Sequence, residues 1–332
     1  MKTKIGICGL PNSGKSSFIK LCTKSEVEIA NYPFTTLKSG EYSFFIYSPE
    51  LKELYKVTKT KEVILDYLIL IDVPGLIRGA HKGEGLGNEF LSYLRKSQAI
   101  LEIVRNFKND DVPHFEGSID PIRDILIIEE EIIASEKEII ERNLKNLKKE
   151  DKEREKVKIL EKILDEIQPF KRFEDLNEFV KEYNLLITKP WYLLINGNEI
   201  DLDEEIKKTF KKIYFLDVKW ELDLREEKED YYLLSKLDNF ANEFRKDLDL
   251  IQFFTFTKEI TQEWFIKNGS TYKEAAGLIH SEFEEKIKAV EVINLFEFLE
   301  IGDWENAKKQ GKIKIKSKDD KVEENDILLI KI

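Results

Sequence analysis

Residues 4–22, KIGICGLPNSGKSSFIKLC, decide the fold that we predict for this chain. Residues 4–8 form a short apolar run with β-branched side chains, and residues 16–22 have helical spacing, so the stretch predicts a strand, a loop and a helix. The loop, residues 9–16, carries the full GxxxxGK[ST] pattern. Its glycines let successive backbone N–H groups face one anion at the positive end of the helix. The stretch therefore predicts a phosphate-binding loop at the start of an α/β domain.

The composition of the 332-residue chain excludes several classes of protein. An apolar content of 42% is enough for two or three folded domains and argues against global disorder. Cys8 and Cys22 make no disulfide framework, and no stretch has the roughly eighteen uncharged apolar residues that a membrane span needs. The net charge of −11 argues against a cationic coat for nucleic acid, but not against a local basic face. Because the phosphate motif leaves no room for a signal peptide, we expect a cytoplasmic protein. The missing apolar stretch and the net negative charge lead us to expect neither a membrane nor a DNA partner.

Further positions extend the predicted phosphate site to Mg²⁺. Lys15 should reach the β- and γ-phosphates, and the Ser16 hydroxyl should bind Mg²⁺. A second apolar strand, residues 63–71, ends at Asp72, where a carboxylate beside the loop can hold Mg²⁺ through water. Thr36, in ANYPFTT (residues 30–36), is the candidate switch residue that closes on the metal, with a plain surface turn as the alternative.

The segment after Asp72 lacks the side chain that would orient an attacking water. Leu76 occupies the position where Ras-type enzymes keep a glutamine, and an apolar side chain cannot position water. Any catalysis must therefore use another group. His114, in DVPHFEGSIDP (residues 111–121), is a candidate because a histidine can accept or relay a proton near neutral pH. On the residues alone, a histidine of a surface loop is the better-supported interpretation.

With these motifs in place, the sequence resembles the YchF/Obg-like ATPase family, an Obg-related branch of the TRAFAC-class P-loop NTPases. The matching stretches follow the family's order over nearly the whole chain: GLPNSGKSS, ANYPFTT, DVPGLIRGAHKGEGLGNEFL, IDPIRDI, the box NGNE (residues 196–199) and KNGSTYKEAAGLIHSEFE. The chain departs from the family at Thr35, which replaces a cysteine, and at DVPG (residues 72–75), where DIAG is typical. The resemblance implies a doubly wound P-loop NTPase sheet with an inserted antiparallel helical hairpin and a C-terminal β-grasp (TGS) domain.

The resemblance also implies an activity and partners. Family members are similar in hydrolysing ATP slowly with Mg²⁺, in preferring ATP to GTP and in associating with ribosomes. For this chain it implies the large ribosomal subunit as partner, with rRNA contacts through the helical and TGS domains. His114 matches a histidine implicated in hydrolysis in some members, and Asn12 lies where some relatives coordinate K⁺. By position, nucleotide contacts carry over to Asn12, Ser13, Gly14, Lys15, Ser16, Ser17, Asn196, Gly197 and Glu199, and metal ligation to Ser16 and Thr36.

The box Asn196-Gly197-Asn198-Glu199 bears on which base is bound. In a guanine site the box would read Asn-Lys-x-Asp, and its aspartate accepts two hydrogen bonds from the base. Here Gly197 removes the lysine stem, and Glu199 is one methylene too long to place its carboxylate where the aspartate would lie. Losing that contact removes most of the discrimination for guanine. The Asn196 side-chain oxygen could accept from the adenine amino group, so we predict ATP over GTP, with a weakly selective purine site as the alternative.

Residues 122–167 repeat apolar side chains at three- and four-residue steps, which predicts helices. The fully charged stretch KKEDKEREK, residues 148–156, predicts the far end of an antiparallel two-helix arm, with a single long helix as the alternative. We expect a G domain over residues 1–250 that this hairpin interrupts at about residues 121–185. A solvated arm and a docking surface are equally supported by the charges, and the resemblance favours partner binding.

After residue 250 the pattern changes to short strands around one helix, which predicts a β-grasp domain over residues 251–332. FFTFT alternates, DILLIKI is a terminal strand, and Ser270 or Thr271 should cap the helix in GSTYKEAAGLIHSEF. KKQGKIKIKSK, residues 308–318, concentrates basic charge. RNA phosphate contact and a solubilising strand face explain that charge equally well.

The leading hypothesis is a ribosome-associated, Mg²⁺-dependent ATPase that acts as a nucleotide-dependent switch in translation or stress response. Lys15 and the loop amides would stabilise phosphate charge, and His114 would handle the water. Mg²⁺ would lie against Ser16, Thr36 and Asp72. The alternatives are an Obg-type GTPase and a nucleotide-gated ribosome or RNA adaptor without hydrolysis, in which Leu76 would reflect lost chemistry.

Overall fold

The computed structural model describes residues 2–23, 36–38, 40–73, 86–148, 154–173, 178–227 and 235–332, with the backbone alone for residues 36–38 and 86–90. The chain begins as predicted, with a strand, the glycine-containing loop and a helix. The first elements, in chain order, are β1 (Lys4–Cys8), α1 (Lys15–Thr23), β2 (Thr36–Lys38), β3 (Glu41–Phe45), α2 (Pro49–Thr58), β4 (Glu62–Ile64), β5 (Tyr67–Asp72), α3 (Leu86–Arg95) and β6 (Ala99–Asn106).

The predicted helical insertion follows β6, and the chain then returns to the first sheet. The elements of this part are α4 (Pro121–Leu147), α5 (Arg154–Glu166), α6 (Glu178–Lys181), β7 (Trp191–Gly197), α7 (Glu204–Thr209), β8 (Lys212–Leu216), α8 (Val218–Glu227) and α9 (Leu237–Asp247).

The first sheet has the strand order β2-β3-β5-β1-β6-β7-β8. Strands β5, β1, β6, β7 and β8 are parallel to their neighbours, whereas β3 pairs antiparallel with β5 and β2 with β3. Strand β6 is buried up to its last residue, as expected for a central parallel strand covered on both faces. The sheet confirms the predicted doubly wound α/β fold. Because the carboxyl ends of parallel strands meet at one edge, Cys8, Asp72, Asn106 and Gly197 share a rim.

The insertion folds as two helices, so the alternative of a single long helix is wrong. Lys148, just after α4, lies with Nζ 2.7 Å from Oε1 of Glu161 in α5. Glu129, near the start of α4, accepts at Oε2 from the backbone N–H of Phe170 (3.1 Å), beyond the end of α5. Contacts at both ends require an antiparallel hairpin. Its apolar positions join the core beneath the sheet, with Ile125, Ile128, Ile132, Leu144, Leu160 and Ile167 all buried.

A second sheet occupies the C-terminal part of the chain, in the order β12-β11-β13-β9-β10-β4. Strands β13 and β9 are parallel, and the β9–β10, β13–β11 and β11–β12 pairs are antiparallel. The C-terminal elements are β9 (Leu250–Phe256), β10 (Ile260–Lys267), α10 (Tyr272–Ile279), α11 (Ser281–Lys286), β11 (Ala289–Asn294), α12 (Leu295–Ile301), α13 (Trp304–Lys309), β12 (Lys314–Ser317) and β13 (Asp326–Lys331).

The predicted helix of this part is α10, and Thr271 rather than Ser270 caps it. The Thr271 side chain accepts from the N–H of Glu274, whose carboxylate accepts from the Thr271 N–H, which forms a capping box. The expectation of a single helix is wrong, because α11, α12 and α13 are present as well. Each is only six or seven residues long and begins at a residue whose side chain caps it. Such short helices leave too little periodicity to be predicted from the sequence.

Strand β4 belongs to the second sheet although it lies early in the chain. It pairs parallel with β10, between Glu62 and Ile260 and onward. After β3 the chain therefore leaves the first sheet, contributes α2 and β4 to the second, and returns as β5. Leu54 and Val63 accordingly pack in the same core as Phe254 and Ile327. Among the described helices, none combines the length and the apolar character that crossing a membrane requires.

Candidate functional site

The loop between β1 and α1 is a cradle whose shape depends on its glycines. Gly9 adopts φ +149° and Gly14 φ +101°, a region of the backbone map that favours glycine. A Cβ at Gly9 would lie 2.4 Å from the carbonyl oxygen of Ile103, and one at Gly14 would lie 2.2 Å from Nδ2 of Asn196. Close approach of neighbouring groups thus requires both glycines of the motif.

Lys15 is buried at the first position of α1, and its ammonium group closes over the loop. Nζ donates to the carbonyl oxygens of Gly9 (3.0 Å) and Leu10 (2.8 Å). Burial lowers the pKa of Lys15 to about 8, while Cys8 and Asp72 act in the opposite direction. A phosphate nearby would favour the charged form of the ammonium. Lys15 is therefore the candidate residue of this loop for binding a polyphosphate.

Other polar groups of the cradle have capacity for a ligand. Ser13 Oγ is buried and has no hydrogen-bond partner among the described residues. Ser16 and Ser17 are exposed in the first turn of α1, where backbone N–H groups have no acceptor within the helix. Hydroxyls and free N–H groups at the positive end of a helix match the chemistry of a phosphate.

The residues beside this cradle fit Mg²⁺. Ser16 offers an exposed hydroxyl, and Asp72 is half-buried at the carboxyl end of β5, which pairs with β1. Burial raises the pKa of Asp72 and Lys15 opposes the shift, and a bound cation would likewise favour the carboxylate. The side chain of Thr36 lies outside the described residues, as does Leu76.

Asn196 ties the cradle to another part of the rim. Buried at the end of β7, it donates from Nδ2 to the carbonyl oxygen of Ser13 (3.0 Å) and accepts at Oδ1 from the N–H of Val218 (3.0 Å). The oxygen that we expected to accept from adenine is thus already bonded to the start of α8. An adenine amino group would have to share it.

A cavity of about 510 Å³ runs from the cradle along the rim. Its walls include six of the predicted residues, namely Asn12, Gly14, Lys15, Ser16, Ser17 and Asn196. The rest of its lining comes from the loop after β6, whose residues 107–109 sequence reasoning missed, and from the region of α8: Phe107, Lys108, Asn109, Val112, Asp217, Val218, Lys219, Trp220 and Asp223.

A larger groove of about 880 Å³ lies at the opposite edge of the first sheet, where Tyr192, Lys211 and Lys267 are among its lining residues. It lies away from the glycine-containing loop. The smaller cavity is therefore the candidate nucleotide site, because it alone of the two contains the phosphate cradle.

The end of the NGNE box is packed against the end of β6. Gly197 adopts φ +121°, and a Cβ there would lie 2.4 Å from the carbonyl oxygen of Asn106. Asn106 Nδ2 in turn donates to the carbonyl oxygen of Asn198 (2.7 Å). Glu199 is exposed and is not among the residues that line the cavity. Packing against Asn106 therefore requires a glycine at position 197. The same glycine lacks the lysine stem of a guanine-binding box.

His114 lies in the loop before α4 and points to that helix. Its Nε2 lies 2.8 Å from Oδ2 of Asp124, its Nδ1 accepts from the N–H of Glu116 (3.1 Å), and its side chain is only 5% exposed. The ring is not part of the cavity lining. The neighbouring Pro113 does meet the cradle, since its carbonyl oxygen accepts from Asn12 Nδ2 (3.0 Å). The catalytic role of His114 stays a prediction.

Two family models match the chain. One, described as a "50S ribosome-binding GTPase", matches residues 4–162, and the model of the YchF-GTPase C-terminal region, described as a protein of unknown function (DUF933), matches residues 250–332. The chain is 32% identical to the "Ribosome-binding ATPase YchF" of Buchnera aphidicola subsp. Schizaphis graminum, over 99% of this chain and 98% of that protein. It is 31% identical to "Obg-like ATPase 1" of Caenorhabditis elegans, over 99% and 91%.

A solved structure agrees over the same extent. The YchF GTPase of Schizosaccharomyces pombe matches with a TM-score of 0.82 at 28% identity, covering 99% of this chain and 98% of that one. The match therefore includes both sheets and the helical hairpin. The predicted resemblance is confirmed, and the chain belongs to the YchF/Obg-like ATPase family.

Proposed function

We propose that this protein is a cytoplasmic, ribosome-associated P-loop NTPase that binds and slowly hydrolyses ATP with Mg²⁺, in preference to GTP. It acts as a nucleotide-dependent switch in translation or stress response. The observation that carries the proposal is the lining of one cavity by Lys15 and Asn196 together. One end of that cavity supplies phosphate chemistry, and Phe107, Val112, Val218 and Trp220 offer apolar surface for a base in the rest of its lining.

At the phosphate end, the chain supplies charge and fixed donors. Lys15 and the N–H groups of the first turn of α1 stabilise the polyphosphate, and Ser13 Oγ, which has no partner among the described residues, can donate in the same cradle. Ser16, Thr36 and Asp72 are the proposed holders of Mg²⁺, which neutralises phosphate charge when bound. Asn12 is the proposed contact of K⁺. Its Nδ2 is bonded to Pro113, so its side-chain oxygen would be the ligand.

At the base end, the geometry favours adenine because the carboxylate of the NGNE box lies outside the cavity lining. Glu199, the residue in the place of the guanine-binding aspartate, is exposed and outside the lining. Guanine would therefore leave its ring N–H and amino group without the paired carboxylate that distinguishes it. Phe107 and Trp220 line the same end and offer ring surface on which a purine can stack.

Competition between nucleotides tests the preference. Unlabelled ATP and GTP would be titrated against a fluorescent nucleotide bound to the protein with Mg²⁺. We expect ATP to compete at least about tenfold better than GTP. Tenfold stronger competition by GTP would favour an Obg-type GTPase, in keeping with the name GTPase that the Schizosaccharomyces pombe relative carries.

Hydrolysis separates a switch with turnover from a passive adaptor. Single-turnover release of phosphate from ATP, with and without ribosomes, measures the chemical step directly. We expect slow release from the protein alone. Release at the uncatalysed rate under both conditions would favour the adaptor.

Association with the ribosome is supported by the name of the Buchnera relative, and the choice of the large subunit by the description of the N-terminal family model as a 50S ribosome-binding GTPase. The basic stretch 308–318 supports an rRNA contact only in part, since Lys308, Lys312 and Lys316 pair with Glu291, Glu297 and Glu323. Co-sedimentation with purified large and small subunits, with ATP or ADP, tests it. We expect pelleting with the large subunit that depends on the nucleotide, and pelleting with neither subunit would contradict the proposal.

A further inference from the structure

The loop after β6 is held in shape by one buried arginine. Arg105 is 2% exposed at the end of β6, and its guanidinium donates to three backbone carbonyl oxygens of the loop that follows. Nε donates to Phe107 (3.1 Å), Nη1 to Val112 (2.9 Å) and Nη2 to Asn109 (3.3 Å). The guanidinium carbon also lies 4.4 Å from the centre of the Phe107 ring. A single side chain thus replaces the hydrogen bonds that a regular element would give this loop.

The same loop is the wall of the cavity at its base end. Phe107, Asn109 and Val112, whose carbonyl groups Arg105 binds, are lining residues of the cavity, as is Lys108 between them. Arg105 itself does not line the cavity, so it holds these lining residues through their backbone without facing the cavity.

Both ends of the loop are attached to predicted nucleotide-binding segments. At its start, Asn106 is bonded to Asn198 in both directions, with distances of 2.7 and 3.3 Å. At its end, the Pro113 carbonyl oxygen accepts from Asn12 in the cradle (3.0 Å). The loop therefore connects the NGNE box to the phosphate-binding loop, and Arg105 fixes its backbone between them.

We propose that Arg105 is a positioning residue for the base of the bound nucleotide. By holding residues 107–112 in place, it keeps Phe107 and Val112 in the lining of the cavity that Val218 and Trp220 also line. The inference deepens the proposed function, since it rests on a nucleotide in this cavity. It assigns base binding to the loop after β6 rather than to the carboxylate of the NGNE box.

The test separates base-dependent from phosphate-dependent binding. Dissociation constants for ATP, GTP and inorganic tripolyphosphate would be measured with Mg²⁺ on the full chain. Arg105→Lys keeps the charge but cannot reach three carbonyl oxygens in a fork. We expect Arg105→Lys to weaken ATP binding by about tenfold, as the loss of one stacked base would. Its affinity for tripolyphosphate should stay within about twofold of that of the unmodified protein.

Arg245→Lys is the matched control. Arg245 is also buried and also donates to a backbone carbonyl oxygen, but its acceptor is Leu250 (2.7 Å) at the start of β9 in the second sheet, and it does not line the cavity. We expect the ratio of ATP affinity to tripolyphosphate affinity in Arg245→Lys to equal the ratio in the unmodified protein. Phe107→Ala is the second variant if Arg105→Lys fails to fold, and it should lose ATP affinity selectively too.

Equal weakening of ATP and tripolyphosphate would overturn the inference, because it would indicate a general disturbance of the cradle. Unchanged affinity for both, or an unmodified protein that binds tripolyphosphate as tightly as ATP and GTP, would also overturn it. Stronger binding of GTP than ATP by the unmodified protein would end the proposed ATP preference alone. In that case the ratio of GTP to tripolyphosphate affinity would still test Arg105.

Discussion

Gly197 and Asn106 are in such close contact that a Cβ on Gly197 would lie 2.4 Å from the Asn106 carbonyl oxygen. Gly197 also has φ +121°, so Gly197→Ala combines backbone strain with a clash against main-chain atoms. We expect a loss of about 2–3 kcal/mol in the free energy of unfolding, measured by urea denaturation, together with weaker ATP binding.

The control for this prediction is Gly269→Ala. Gly269 has φ +81° but open space around it, so only the backbone strain applies, about 1 kcal/mol. Equal losses in the two variants would contradict a steric role for the contact with Asn106.

Glu129 fixes the helical hairpin to the first sheet. Its carboxylate is fully buried and pairs with both terminal nitrogens of Arg172, whose guanidinium lies 4.8 Å from the centre of the Trp191 ring. Glu129→Ala leaves the arginine charge without its partner in a desolvated place, which should cost about 3–5 kcal/mol in the free energy of unfolding. Glu130→Ala, on the exposed side of the same helix, should cost less than about 0.5 kcal/mol. Equal urea midpoints for the two variants would contradict this account.

Glu263 makes stability depend on pH at the junction of the two sheets. It is fully buried on β10, where its Oε2 accepts from the backbone N–H of Asp66 (3.4 Å), and burial raises its pKa from 4.5 to about 8. The folded protein therefore keeps a proton on Glu263 that the unfolded chain releases above about pH 4.5, so this residue lowers stability as pH rises to about 8.

Glu263→Gln removes that titration. The variant should gain stability relative to the unmodified protein as pH rises from about 5 to 8, and urea midpoints measured across this range would reveal it. Parallel pH profiles for the two proteins would show that Glu263 does not titrate as described.

His114 allows a test that separates catalysis from binding. Its ring is bonded to Asp124 and lies outside the cavity lining, so its removal should leave ATP affinity within about twofold. Because His114 is the proposed group that acts on the attacking water, His114→Ala should slow single-turnover hydrolysis by at least about tenfold. An unchanged rate would remove His114 from the mechanism and leave it as a structural partner of Asp124 in α4.

The sequence predicts the phosphate cradle well because each of its residues has a local requirement. Gly9 and Gly14 are required by their positive φ, and Lys15 supplies the charge, all within one short loop. The hairpin is predictable for a similar reason, since its apolar period and its charged tip are both local. The features of the structure that the sequence does not predict depend on contacts between residues that are distant in sequence.

Strand β4 is one such case. Its three residues, EVI, would suit either sheet, and only its pairing with β10 about two hundred residues later assigns it to the second. Arg105 is another, because its acceptors are backbone carbonyl oxygens that no sequence pattern marks. The one signal in the sequence is a basic residue that directly follows the apolar run of a predicted strand.

The central claim is that the first loop binds the phosphates of ATP through Lys15, and calorimetric titration with ATP and Mg²⁺ tests it most directly. Lys15→Ala would be compared with Lys20→Ala, which removes an exposed lysine from the same helix. We predict that Lys15→Ala weakens ATP binding by more than about tenfold, as the loss of a charge-assisted contact should, and that Lys20→Ala binds normally. If the folded Lys15→Ala protein binds ATP as tightly as the unmodified one, the account is contradicted.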